Sequence, residues 1–89
     1  MNNSKIITYD LCKPGRNYDD LYDYLKSFSV WAHITESTWF VSSIKSCTTI
    51  RDEIRNIVDS NDRIFVAELT GVAAWLNIMC NYDYLKEHL

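Results

Sequence analysis

Val30-Trp31-Ala32-His33-Ile34 and Thr38-Trp39-Phe40-Val41, joined by Thr35-Glu36-Ser37, form the stretch from which the fold is read. Both runs are rich in β-branched and aromatic residues, and the connection between them is short and polar. That pattern predicts two antiparallel strands joined as a hairpin. Toward the N-terminus, Lys5-Ile6-Ile7-Thr8-Tyr9 reads as another strand. It ends at Asp10 and passes into Leu11-Cys12-Lys13-Pro14-Gly15-Arg16, where the Pro-Gly pair marks a turn or loop. Asn17 is the expected N-cap of a helix running to about Phe28, with Asp19 and Asp20 at the positive end of its dipole. Tyr18, Leu21, Leu25 and Phe28 recur at helical spacing and define its buried stripe.

Beyond the hairpin, Ser46 caps a second predicted helix, whose apolar residues are Ile50, Ile54, Ile57 and Val58. Arg51, Glu53 and Arg55 occupy its other faces. The turn formers Asp59-Ser60-Asn61-Asp62 then release the chain into the strand Arg63–Leu69. Thr70-Gly71 breaks that strand. Val72-Ala73-Ala74-Trp75-Leu76 is expected as a short added edge strand, and residues 81–89 as a capped terminal helix.

The order strand–helix–strand–strand–helix–strand predicts a single α+β domain of the ferredoxin-like type over residues 1–89. Its antiparallel sheet carries two helices on one face, with a short C-terminal strand and helix added. The opposite face of such a sheet is left bare. Strand one (Ile6, Ile7, Tyr9) and strand four (Ile64, Phe65, Val66) are apolar on both alternating sets, so both sides are expected to be covered. A homodimer would supply the second cover.

At 89 residues the chain has room for one domain, and its thin core is of the kind often supplemented by oligomerisation. The net charge of −3 disfavours a binder that tracks nucleic-acid backbones through lysines and arginines alone. Three widely spaced cysteines, Cys12, Cys47 and Cys80, contain no C-x-x-C pair and point to reduced thiols rather than a disulfide framework or zinc site. Met1-Asn2-Asn3-Ser4 lacks a signal pattern, and no apolar run approaches membrane-spanning length. A cytoplasmic protein with no membrane partner is expected.

The segment Ile7-Thr8-Tyr9-Asp10-Leu11 and the residues Trp31, His33 and Glu36-Ser37-Thr38-Trp39 together resemble small proteins of the SinR family. So do Asp59-Ser60-Asn61-Asp62, Leu69-Thr70-Gly71, Ala74-Trp75-Leu76 and the closing Tyr84-Leu85-Lys86-Glu87-His88-Leu89. The likeness spans nearly the whole chain. It does not imply a helix-turn-helix repressor. That group is in turn similar to the ferredoxin-like CRISPR-associated adaptation subunit, a metal-dependent endonuclease. The resemblance implies two copies paired through their sheets, with Asp10 of each facing the other across a shared divalent cation, Mg²⁺ or Mn²⁺. It also implies that residues 72–76 extend the partner's sheet. Where that family carries an arginine and a phenylalanine, this chain has His33 and Trp39.

Asp10 is the candidate catalytic and metal-binding residue, because a carboxylate just past a strand is held rigidly and hard cations take oxygen ligands. It equally suits the start of the turn before Pro14-Gly15. Lys13 and Arg16 make a small positive loop next to it, fit for a phosphate or simply for solvent. His33 and Trp39 lie on adjacent predicted strands and could flank a nucleic-acid groove or belong to an interface or core. Trp31 and Trp75 carry the same two readings. No P-loop, zinc-ligand set or nucleophile triad is present. Two functions follow. One is a dimeric binder of RNA or DNA, with metal-dependent endonuclease activity. The other is a non-catalytic dimeric module that binds a protein or a small ligand.

Overall fold

In the computed structural model, residues 3–12 and 18–89 are described. The elements are β1 (Ser4–Asp10), α1 (Asp19–Lys26), β2 (Val30–Thr35), β3 (Thr38–Ser42), α2 (Cys47–Arg55), β4 (Arg63–Glu68) and α3 (Tyr82–His88). All strand pairs are antiparallel, in the order β2-β3-β1-β4. The sheet is therefore held at its centre by β1 and β3, strands distant in sequence.

Alternation along the strands sorts the core into two halves. Ile7, Tyr9, Trp39 and Val41 point to one face, where Leu21 and Leu25 of α1 and Ile50 and Ile54 of α2 pack on them. The predicted stripe of Tyr18, Leu21, Leu25 and Phe28 is buried there. Ser46 caps α2 as expected, its Oγ accepting from the Thr49 N–H at 3.1 Å. The expected Asn17 cap of α1 lies outside the described residues, as does the Pro14-Gly15 turn. Tyr18 occupies the cap position of α1 with no side-chain cap bond, and its hydroxyl meets the Asp62 carboxylate at 3.4 Å instead.

The opposite face departs from expectation. It is not bare, because α3 docks on it. Leu85 joins Ala32 and Phe40 in a second cluster that includes Trp75, Ile78 and Leu89. Asn81 caps α3 by accepting from the Tyr84 N–H at 3.0 Å. Outside Ser4, whose hydroxyl meets the His88 carbonyl at 3.4 Å, this cover stops short of β1 and β4, which contribute no residue to the second cluster.

Residues 72–76 do not form the added edge strand. Gly71, at φ +91°, turns the chain away from the sheet. Trp75 is held in the α3 cluster while Val72 (88% exposed) and Leu76 (83% exposed) face outward. The backbone that does approach an edge comes later. The Met79 N–H donates to the Ile34 carbonyl at 2.8 Å, occupying one acceptor of the β2 edge. β4 is the other edge, and no further strand pairs with it among the described residues. Also among the described residues, no helix is long and apolar enough to cross a membrane.

Candidate functional site

The uncovered part of the second face is a strip made by β1 and β4. Strand register fixes which side chains share it. Thr8 stands opposite Phe65, and Asp10 stands opposite Arg63. These alternate with Ile7 and Tyr9, which point the other way into the helix-covered core. Thr38 of β3 borders the strip, its hydroxyl donating to that of Thr8 at 3.3 Å. A shallow depression of about 190 Å³ is lined by Thr8, Asp10, Arg63 and Phe65 together with Tyr9 and Ile64.

Asp10 closes β1, and the chain beyond it is tied down. The Cys12 N–H donates to Asp62 Oδ1 at 2.8 Å, and the Cys12 thiol donates to the Asn61 carbonyl at 3.0 Å. Asp62 also accepts the Asp59 N–H at 2.9 Å, within the turn that the sequence predicts there. One carboxylate therefore joins the end of β1 to the start of β4. This anchoring holds Asp10 beside Arg63, whose Nη1–H donates to Asp10 Oδ2 at 2.9 Å. Both side chains are largely exposed, 67% and 77%. A pair so wet contributes about 0–1 kcal/mol to stability. A guanidinium carries five N–H donors in a planar fork, so bonding to Asp10 leaves most of them for an incoming anion.

His33 and Trp39 are on the other face. They are cross-strand partners, stacked with ring centroids 4.1 Å apart and planes 14° from parallel. His33 Nε2 lies 3.0 Å from the Glu36 carbonyl. A carbonyl only accepts, so Nε2 carries the proton. Trp39 is 1% exposed, and its indole N–H donates to the Tyr9 hydroxyl at 3.0 Å. Tyr22 and Trp31 also contact it, at ring-centroid distances of 6.3 and 5.5 Å. Its ring has no free surface for a base. Trp31 is half-buried on the same face, and Trp75 belongs to the α3 cluster. The structure thus separates Asp10 from His33 and Trp39 by the thickness of the sheet. Lys13 and Arg16 lie outside the described residues.

Burial of the Tyr9 hydroxyl is the main cause that pushes its pKa up to about 12, against the opposing hydrogen bond from Trp39. The Glu53 carboxyl is lowered by hydrogen bonds from Lys45 and then Tyr24. Burial and the Glu53 carboxylate in turn raise Tyr24. Burial likewise raises the Cys80 thiol. None of these groups lies in the strip, and they serve the fold.

Arg63 and Phe65 are the strip residues that the sequence reading does not single out. Strand four is apolar on both alternating sets, so its pattern gives no sign of which set faces outward. The Asp10–Arg63 pairing exists only through the β1–β4 register.

A divalent cation does not fit a single copy of this site. Asp10 offers one carboxylate, its charge already met by Arg63. No group of three or more His, Cys, Asp and Glu side chains suited to a metal occurs among the described residues. Hard cations are usually held by more oxygen ligands than this.

No family model matches the chain, and no solved structure matches it significantly.

Proposed function

We propose that the chain is a nucleic-acid-binding domain of the ferredoxin-like type, with the β1–β4 strip as its binding surface. The observation that carries this reading is Asp10 and Arg63 held side by side on an uncovered stretch of sheet, next to an exposed aromatic ring. Arg63 supplies the charge-assisted, bidentate contact that phosphates favour. The element order and the strand order β2-β3-β1-β4 support the ferredoxin-like assignment. The resemblance to SinR-family proteins and to the CRISPR-associated endonuclease subunit points in the same direction.

Cleavage with Mg²⁺ or Mn²⁺ belongs to this reading only if a second copy brings its own Asp10 to the first, since one copy lacks the ligands. The open β4 edge and the outward Val72 and Leu76 are the features that favour a homodimer. The test is incubation of purified protein with labelled RNA and DNA, with and without each metal, beside Asp10→Ala. Binding without cleavage supports a binder. Cleavage abolished by the substitution supports an endonuclease. Failure to retain any nucleic acid contradicts both.

A second reading has its own observation. Val72, Leu76, Met79 and Tyr82 form a run of exposed large apolar residues around the α3 cap. Such a run suits a non-catalytic module that docks a protein. Co-purification of a partner that is lost on Val72→Ser plus Leu76→Ser, together with no nucleic-acid binding, would favour it.

A further inference from the structure

The geometry points to Phe65 as the base-stacking platform of the strip, and to single-stranded nucleic acid as the ligand it takes. This rests on the nucleic-acid reading above and adds a residue and a substrate class to it.

Phe65 is 61% exposed although it sits mid-strand in β4. On the same face, Thr8 stands directly across on β1, Ala67 lies two residues along β4, Arg63 lies two residues the other way, and the half-buried Ile6 stands diagonally across, opposite Ala67. None of these covers the ring, so a flat partner can approach it. Arg63 is about 6.6 Å away along the strand, at a rise of roughly 3.3 Å per residue. That step lies within the span from a base to a neighbouring phosphate. The hydroxyls of Thr8 and Thr38, already bonded to each other at 3.3 Å, add polar contacts at the border. An aromatic ring beside an arginine and flanking hydroxyls complements a nucleotide, which carries a π-face and an anion on one short unit.

The same chemistry selects the strand state. Stacking on a side chain requires a base with an open face, and in a duplex both faces are covered by neighbouring base pairs. An unpaired strand offers that face. Only one large ring is exposed on the strip, so one base is expected to stack, with little sequence preference.

The experiment compares the wild type with Phe65→Ala and Phe65→Tyr by fluorescence anisotropy. The ligands are labelled oligothymidine, oligouridine, an abasic strand of equal length and a duplex. The inference expects the wild type to prefer strands with bases over both the abasic strand and the duplex. Phe65→Ala should weaken binding roughly five- to 150-fold and abolish the preference over the abasic strand. Phe65→Tyr should retain both. Because the ring is exposed, the alanine variant should keep its fold, which circular dichroism verifies. Equal affinity of Phe65→Ala and wild type overturns the Phe65 assignment while leaving the nucleic-acid reading intact. Absence of binding by the wild type overturns both. Conversion of a dimer to a monomer by Phe65→Ala, seen by sedimentation, overturns the stacking role and gives the ring to an interface between copies.

Discussion

Asp10 ends β1 directly across from Arg63, which begins β4, and a guanidinium N–H reaches the carboxylate at 2.9 Å. The pair brings two opposite charges to an otherwise uncharged strip of sheet. Its consequences for stability and for binding are opposite in size.

Asp10→Ala removes a surface ion pair, so urea denaturation should move by no more than about 1 kcal/mol. The same change releases Arg63 from its carboxylate and deletes a charge that repels phosphate. Filter binding should therefore show tighter retention of single-stranded RNA or DNA by the variant than by the wild type. Weaker retention would mean that the carboxylate itself helps to hold the ligand.

The contact between Tyr9 and Trp39 is of the costly kind. Both residues are buried, and the indole N–H has the Tyr9 hydroxyl as its acceptor. Tyr9→Phe keeps the ring but leaves that donor unsatisfied in the core. A loss of about 1–3 kcal/mol is expected in equilibrium unfolding. A loss near zero would show that the indole finds another acceptor.

Alkaline pH probes the same hydroxyl. An unfolded tyrosine ionises near 10, whereas Tyr9 in the fold is pushed up to about 12 and Tyr24 is also raised. Folding therefore favours the protonated phenols. Their contribution is complete below pH 10 and declines as pH rises toward 12, because the unfolded chain gives up its protons first. The midpoint of thermal unfolding should drop across that window in the wild type, and less steeply in Tyr9→Phe.

Leu85 is the residue of α3 that closes the second core cluster. Leu85→Ala should cost about 2–5 kcal/mol and loosen the helix from Phe40 and Ala32. Hydrogen exchange would then rise in residues 82–88 before it rises in β1. Uniform exchange across the chain would indicate that α3 and the sheet unfold as one unit.

Local pattern carried much of the fold. The Trp- and Phe-rich hairpin, the Tyr18–Phe28 stripe, the Ser46 cap and the Asp59–Asp62 turn are all encoded within a few residues of each other, and each forms where it is expected. The added strand at 72–76 failed because an apolar run of five residues does not say whether it will pair or pack. Here Gly71 and the burial of Trp75 decided for packing. That α3 supplies cover on the second face was missed for a related reason. A two-turn helix declares its cap in the sequence but not the surface on which it lands.

Of the candidate site, only Asp10 was legible in the sequence. Its partner Arg63 is 53 residues away, and no local spacing joins them. Trp39 shows the converse, since an aromatic run in a strand is compatible with either face until the register is known. That register turned Trp39 inward and left Phe65 outside.

The most direct measurement is the salt dependence of single-strand binding by the wild type and Arg63→Ala. A phosphate contact through Arg63 predicts that the wild type loses affinity as salt rises. It further predicts that the variant binds more weakly, with a log–log slope shallower by about 0.7. Superimposable plots for the two proteins, or no binding by either at low salt, would contradict a nucleic-acid surface on the β1–β4 strip.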